Sequence, residues 1–402
     1  MTTADTVVFP QDRTCPYQPA PAYLPLAEEK PLAQVALYDG RRVWAITSRD
    51  VARKLLIDPR ISSDRTNSAW PMMFASIAAT VSDVQQKVMK IVTALVGVDG
   101  PVHNARRKLL IPSFTTRRIN AMRPQIQAIV DERLDALIAA GPPADLIPAF
   151  AGPVPVTVLY RLMGIPDGDH EYFERKSHQL AAGPDANSAY DELMAYMHAL
   201  IAEKRRNPGD SVLDDLLAER GDKGGVDEEL VSTLVLQVAG GHGTTGTMIS
   251  LSTFVLLQHP ERLAELRADP SLLPTAVDEL LRVLSIPDGV SRLAVDDIEV
   301  EGATIRKGDG VFFITSLINR DEAVHEEPDA LGWHRTTARD HVSFGFGAHQ
   351  CLGQNLARIT MEVALGTLLA RLPGLRLAVP AEEIPFNPTA GFQVLNALPV
   401  AW

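Results

Sequence analysis

The chain has 402 residues, 46% hydrophobic and 22% charged, the balance of an ordinary globular protein able to bury a large core. Its formal net charge of -12 argues against nucleic acid as the main partner. Two cysteines, Cys15 and Cys351, make no disulfide framework and fit a reducing compartment.

Residues 1–30 are proline-rich and read as extended, and Cys15 within them reads as incidental. Residues 1–10 lack a basic stretch followed by an apolar one, so no signal peptide is expected and the chain is expected in the cytoplasm. Segments 34–38 and 41–47 flank Asp39-Gly40, a two-residue hairpin signal. Helical patterns follow at 48–57, 84–96, 103–114 and 116–140, with a loop rich in Met, Trp and Phe at 61–80. Further helical patterns cover 154–163, 170–182, 186–206 and 211–220, and one long helix is expected over 227–258. Its most apolar stretch is interrupted by Gln237, Gly240-Gly241 and His242, which suits a helix through a soluble core better than a membrane span. Short alternating runs at 292–314 read as strands, 352–371 as a helix, and 375–379 and 392–398 as closing strands. The expected fold class is mainly α with small β-sheets, in one interwoven unit over 1–402. Its β-rich parts lie near 30–60, 290–315 and 375–400, and its helical parts near 84–285 and 316–371.

Cys351 stands in Phe344-Gly345-Phe346-Gly347-Ala348-His349-Gln350-Cys351-Leu352-Gly353, directly before a helical pattern. A cysteine at a helix N-terminus meets unpaired amides and the positive end of the dipole, which favours thiolate, the metal-binding form; a lowered pKa is expected. Gly345 and Gly347 permit turns that a side chain would obstruct, and Gly353 lets a flat group approach. A lone cysteine beside glycine is also compatible with a small core residue. A zinc site would need more ligands than His349 adds.

The whole pattern, Phe-Gly-x-Gly-x-His-x-Cys-x-Gly, resembles the haem-binding signature of cytochrome P450 enzymes, and the opening Gln11-Asp12-Arg13-Thr14-Cys15-Pro16 is similar to soluble actinobacterial members. The resemblance implies a helical prism around buried haem b, iron protoporphyrin IX with Cys351 as axial thiolate. It also implies that Phe344, Gly345 and Gly353 contact the haem.

Four other constellations bear on this resemblance. Glu279 and Arg282, three apart, share a helix face among apolar neighbours; they read as a surface ion pair or a partly buried one. The resemblance makes them, with Arg335, a structural cluster behind the haem. His103 and Arg107, four apart after Pro101, read on their own as a basic helix face. The resemblance assigns both, with Arg292 and His349, to the haem carboxylates. Gly240-Gly241 in a helix costs roughly 1 kcal/mol per glycine against alanine and suits either close packing or a bulge. The resemblance places Ala239 and Gly240 beside the haem and makes Thr244 the oxygen-activating hydroxyl. Related enzymes carry Asp or Glu immediately before that threonine, where this chain has Gly243. Water, His242 or a polar group of the substrate would then have to deliver protons.

By the same resemblance the substrate pocket includes Trp70, Met72, Phe74, Leu95, Leu234, Val238, Val290, Phe392, Gln393 and Val394. These are mostly apolar and suit a bulky apolar small molecule such as a polyketide, terpenoid or xenobiotic of secondary metabolism. The chain has no Cys cluster for iron–sulfur and no G-x-G-x-x-G after a strand, so electrons for O2 would come from a ferredoxin and ferredoxin reductase. Arg106, Arg107, Lys108, Arg117, Arg118, Arg335 and Arg339 form a candidate basic docking patch for an acidic ferredoxin. A monomeric haem-thiolate monooxygenase, with no membrane or nucleic-acid partner, is the expected function. The absent acid at 243 leaves a peroxide-driven peroxygenase as one alternative, and a non-catalytic haem protein is another.

Overall fold

The computed structural model describes the chain apart from residues 1–6, 30, 74–82, 183–184, 221–227 and 389–392. The helices that frame the site are α1 (Asp83–Thr93), α2 (Gly100–Leu110), α3 (Arg123–Ala140), α4 (Pro153–Met163), α5 (Ala186–Arg206), α6 (Glu228–His242), α7 (Thr244–Gln258), α8 (Leu273–Leu284) and α9 (Gln354–Arg371). Strands β1 (Leu32–Ala36), β2 (Arg42–Ile46), β3 (Ile61–Ser62), β5 (Val290–Ala294) and β8 (Gly310–Phe313) form a mixed sheet in the order β1-β2-β8-β5-β3. Two small sheets complete the β part, β4 (Ala144–Asp145) with β10 (Pro399–Ala401) and β9 (Arg376–Leu377), and β6 (Ile298–Val300) with β7 (Ala303–Ile305).

Asp39-Gly40 does join an antiparallel pair, β1 with β2, and Gly40 takes φ +80°, where glycine carries no Cβ penalty. The pattern at 116–140 is two helices, residues 116–121 and α3, with Pro124 in the first turn of the second. Only Arg376–Leu377 of the 375–379 run pairs as a strand. The expected strand at 392–398 is corrected: its described residues make a single bridge, Leu395 with Phe386, and the closing strand is β10. An apolar run does not by itself say which backbone will pair with it.

Helices α6 and α7 run through the main core. Leu230, Val231, Leu234, Val235 and Val238 are buried on the first, and Met248, Ile249, Leu251, Phe254, Val255 and Leu256 on the second, the all-round burial of an interior helix. The expected single helix is broken at Gly243, and the Thr244 hydroxyl donates to the Gly240 carbonyl at 3.2 Å, a back-bond that bends helices. Gly246 fixes the approach of α7 to the 147–151 turn, because a Cβ there would lie 2.7 Å from the Ala151 carbonyl oxygen.

Helices α8 and α9 pack against each other beneath this pair. Glu279 and Arg282 on α8 are fully buried. The Glu279 carboxylate accepts from Arg282 Nε at 2.7 Å, Arg282 Nη2 at 2.8 Å, Arg335 Nε at 3.0 Å and the Gly332 amide at 3.1 Å. Arg282 Nη1 also donates to the carbonyls of Asn319 and Pro328. Burial works to raise the Glu279 carboxyl, yet the two guanidinium groups hold it below the ordinary carboxylate range. Among the described residues no helix is long and apolar enough to cross a membrane.

Glu279→Gln leaves two buried guanidinium groups short of their counter-charge and is expected to cost about 3–5 kcal/mol, read as a lower urea midpoint. Arg60→Ala, on the surface pair with Asp58, leaves the midpoint nearly unchanged. Because the Glu279 carboxyl is depressed in the fold, its contribution is complete at neutral pH and is lost as pH falls through the carboxylate range.

Candidate active site

The Cys351 loop is held open at one end and tight at the other. Gly345 and Gly347 have φ of +69° and +73°, and a Cβ on Gly347 would lie 2.8 Å from the Leu56 carbonyl oxygen. The Cys351 amide donates to the Phe344 carbonyl at 2.8 Å, closing the loop. Phe344 lies under the guanidinium of Arg358, 4.7 Å from the ring centroid, and Phe346 under that of Arg53, at 4.1 Å. Arg358 also reaches Asp278 on α8 at 2.6 Å, which ties α9 and the loop to the helix that carries Glu279.

The Cys351 side chain is accessible, yet it is so surrounded by protein that burial pushes the thiol up from its ordinary value. The Gly353 amide, then Arg107, Arg358 and the Gln354 amide, pull it down without cancelling that effect. The expected lowering is corrected on this point, because burial outweighs the helix terminus. A sulfur in such a setting becomes thiolate when a metal cation binds it.

Basic side chains gather beside the loop. His103 on α2 is buried, and its ring centroid lies 4.1 Å from that of His349. Burial, then the His349 charge, hold His103 below the ordinary imidazole value. Arg107 donates to the Gln350 carbonyl at 2.6 Å, and burial lowers its guanidinium. Burial and then the neighbouring Arg65 push Arg292 down to about 10, and the one hydrogen bond its guanidinium makes among the described residues goes to the Ser291 carbonyl. Arg65 is lowered by burial and stacks over Trp70. A carboxylate stands among these groups. Asp99 accepts from His349 Nε2 at 2.9 Å, the Ser62 hydroxyl at 2.5 Å and the Ser63 amide at 2.9 Å. Burial opposes its charge, but these bonds hold it at about 2.

Ala239, Gly240, Gly243 and Thr244 are accessible, although buried stretches of α6 and α7 flank them. A Cβ on Gly240, Gly243 or Gly353 would meet nothing within 4 Å. A flat, metal-bearing group with two carboxylates needs one sulfur, glycine surfaces to lie against and cations without carboxylate partners. The donor set here fits such a group.

The structure places other sequence-picked residues as follows. Arg335 joins Glu279, not the loop surface. Trp70, Leu95, Leu234, Val238 and Gln393 are buried, Met72 and Val290 are partly accessible, and Val394 is exposed. Phe74, Phe392 and the side chain of His242 lie outside the described residues. The basic patch is thinner than its sequence suggests. Arg106 pairs with Glu229, two contacts at 2.9 Å, and Arg118 with Asp215 at 2.7 Å, because their helix faces turn toward carboxylates of neighbouring helices. Lys108 and Arg117 remain exposed, and Arg339 is exposed while reaching Asp278 at 2.9 Å. Arg65, Asp99 and Arg358 were missed as site residues. Asp99, just before Gly100-Pro101, carried the signal of a residue at a helix start, but nothing local linked it to position 349.

The family model "Cytochrome P450" matches residues 180–373. The chain is 55% identical over 400 residues to pentalenic acid synthase of Streptomyces avermitilis, with 98% of this chain and 97% of that one covered. It is 47% identical over 406 residues to vitamin D3 dihydroxylase of Streptomyces griseolus, covering 100% of this chain and 98% of that one. The crystal structure of cytochrome P450 MoxA from Nonomuraea recticatena superposes with a TM-score of 0.89 at 38% identity, covering 98% of each chain. A sulfur at a helix start, glycine surfaces and under-neutralised cations thus stand in a chain that is similar end to end to haem-thiolate proteins, and it belongs to the cytochrome P450 family of monooxygenases, which hold haem b through a cysteine thiolate.

Proposed function

We propose that this monooxygenase inserts one oxygen atom into a bulky, mostly apolar small molecule of the polyketide, terpenoid or xenobiotic kind, in the cytoplasm, with electrons from a ferredoxin and its reductase. The observation that carries the reading is the Cys351 loop at the start of α9, set beside Arg107, Arg292 and Arg65, none of which has an ion pair among the described residues. Relatives named for pentalenic acid and vitamin D3 support the substrate class. In this reading 1–402 works as one domain.

Haem b, when bound, supplies dioxygen activation and oxygen insertion. Cys351 holds its iron, and Phe344, Gly345 and Gly353 give the sulfur face its shape. Arg107, Arg292, His103 and His349 hold the two carboxylates, with Arg65 as a fifth partner. Arg292 and Arg65 have no ion pair among the described residues, so they are free to take a carboxylate. Ala239 and Gly240 leave room above the cofactor. The Thr244 hydroxyl, which donates to the Gly240 carbonyl, holds and passes a proton at its oxygen. Gly243 contributes no acid to this transfer, so His242, water or substrate completes it.

That missing acid favours a second reading, turnover driven by peroxide. Comparing product formed with NADH, ferredoxin and reductase against product formed with hydrogen peroxide separates the two. Product only with peroxide would replace the monooxygenase reading, and tight ligand binding without product under either supply would mean a binding protein.

Reduced under carbon monoxide, the wild type is expected to show the strongly red-shifted Soret band of thiolate ligation, and Cys351→Ser to lose it; a wild type without the band would refute the haem-thiolate reading. Space at position 243 admits a side chain, so Gly243→Glu is expected to fold and to lower peroxide release per electron consumed; unchanged release would count against the missing-acid argument. For the redox partner, Lys108→Glu with Arg117→Glu is expected to raise the ferredoxin KM roughly tenfold at low salt, with the gap closing at high ionic strength.

A further inference from the structure

The opening segment carries a buried ion pair that none of this chemistry uses. Arg13 Nη2 lies 2.5 Å from Asp288 Oδ1, with the two side chains 4% and 3% exposed. Asp288 Oδ2 accepts from the Tyr23 hydroxyl at 2.9 Å, and that hydroxyl accepts from the Gln11 amide at 2.7 Å. Arg13 Nη1 donates to the Gln18 carbonyl at 2.8 Å. The Asp288 carboxylate is therefore held by residues of the first two dozen positions. Burial, then the Asp288 charge, push the Tyr23 phenol up, so it remains a donor over the working pH range.

Asp288 lies in the link from α8 to β5. The link starts at Ser285, whose φ of +41° is left-handed and unfavourable for a residue with a Cβ. Asn319 Nδ2 holds the Ser285 hydroxyl at 2.7 Å, the Gln393 amide donates to the Ile286 carbonyl at 3.0 Å, and the Thr315 hydroxyl donates to the Pro287 carbonyl. Strand β5 begins two residues after Asp288. Alternation along the strand puts Val290 and Arg292 on one face, and Arg292 belongs to the cation cluster. A shift of Asp288 would therefore move Val290, on the face that carries Arg292. The Arg13 amide also donates to the Pro388 carbonyl at 3.0 Å, five residues before Gln393. One residue near the N-terminus thus ties two distant stretches, 286–290 by its side chain and 388 by its backbone.

A buried ion pair of this sort adds little net stability compared with apolar packing, and its best-attested use is to fix one arrangement among several. We propose that Arg13 is a positioning residue which, with Tyr23, anchors Asp288 and so sets the shape of the ligand-facing wall at 287–290. The proposal rests on the haem-thiolate reading, because it takes that wall to face a ligand above the cofactor.

The test titrates holoenzyme with imidazole and with 4-phenylimidazole, following the Soret band. Both probes ligate iron through the same ring nitrogen, and only the phenyl group has to fit against the wall. Arg13→Met is expected to change the 4-phenylimidazole Kd about tenfold and the imidazole Kd by less than about twofold. Arg13→Lys, which keeps the charge, is expected to restore most of the difference, and Tyr23→Phe to give a smaller change of the same sign. An equal change for both probes in Arg13→Met, or none for either, overturns the proposal. Should Arg13→Met fail to hold haem, Tyr23→Phe decides, and an unaltered ratio of the two Kd values overturns it. Failure of the underlying reading shows separately, as a wild type without the thiolate Soret band.

Discussion

Glu279 is a fully buried carboxylate that accepts four hydrogen bonds, two from Arg282 on α8 and one each from Gly332 and Arg335. From this cluster a series of bonds leads to the site. Arg282 donates to the Asn319 carbonyl. The Asn319 side chain donates to the hydroxyls of Ser285 and Ser343 and accepts from the Val342 amide. Ser343 in turn donates to the Leu281 carbonyl on α8. Val342 and Ser343, which lead into the Cys351 loop, are thereby fixed to the same helix that launches the 285–290 link. Such a network defines a unique arrangement because each member, once buried, costs free energy unless all its partners are in place.

The site sets two electrostatic problems side by side. The Cys351 sulfur is in surroundings that disfavour a bare anion, and Arg292, Arg65 and Arg107 are in surroundings that disfavour bare cations. Asp99, bonded to His349, offsets part of that cost at Arg292 by its charge. A metal at the sulfur and two carboxylates at the cations would answer both, and haem b carries all three. The same logic accounts for the accessible glycines, since a planar ring system lies flat only where side chains are missing.

Much of this was legible in the chain. The Phe344–Gly353 motif was legible through its resemblance to the family's haem-binding signature, whereas its glycines, cysteine and helix start on their own left a small core residue open. The hairpin at Asp39-Gly40 and the helices over 170–182 and 186–206 followed from turn chemistry and periodicity. The pairing of Glu279 with Arg282 was local as well, three residues apart on one face. Less legible were the break at Gly243, where propensity permits either a kink or continuation, and the closing strand, where apolar content pointed to 392–398 and pairing chose β10.

Sequence, read with the family resemblance, named the candidate chemistry: one sulfur for a metal, a threonine without the usual acidic neighbour and basic residues at helical spacing. Only the tertiary structure decided which charges are shared. It gave Arg106 and Arg118 to carboxylates on other helices, drew Arg65 and Asp99 into the site, and closed Arg13 onto Asp288 across 275 residues. The reason is physical. A side chain's type and its local periodicity are written within a few residues, but ion pairs depend on which distant surface folding brings to within about 3 Å.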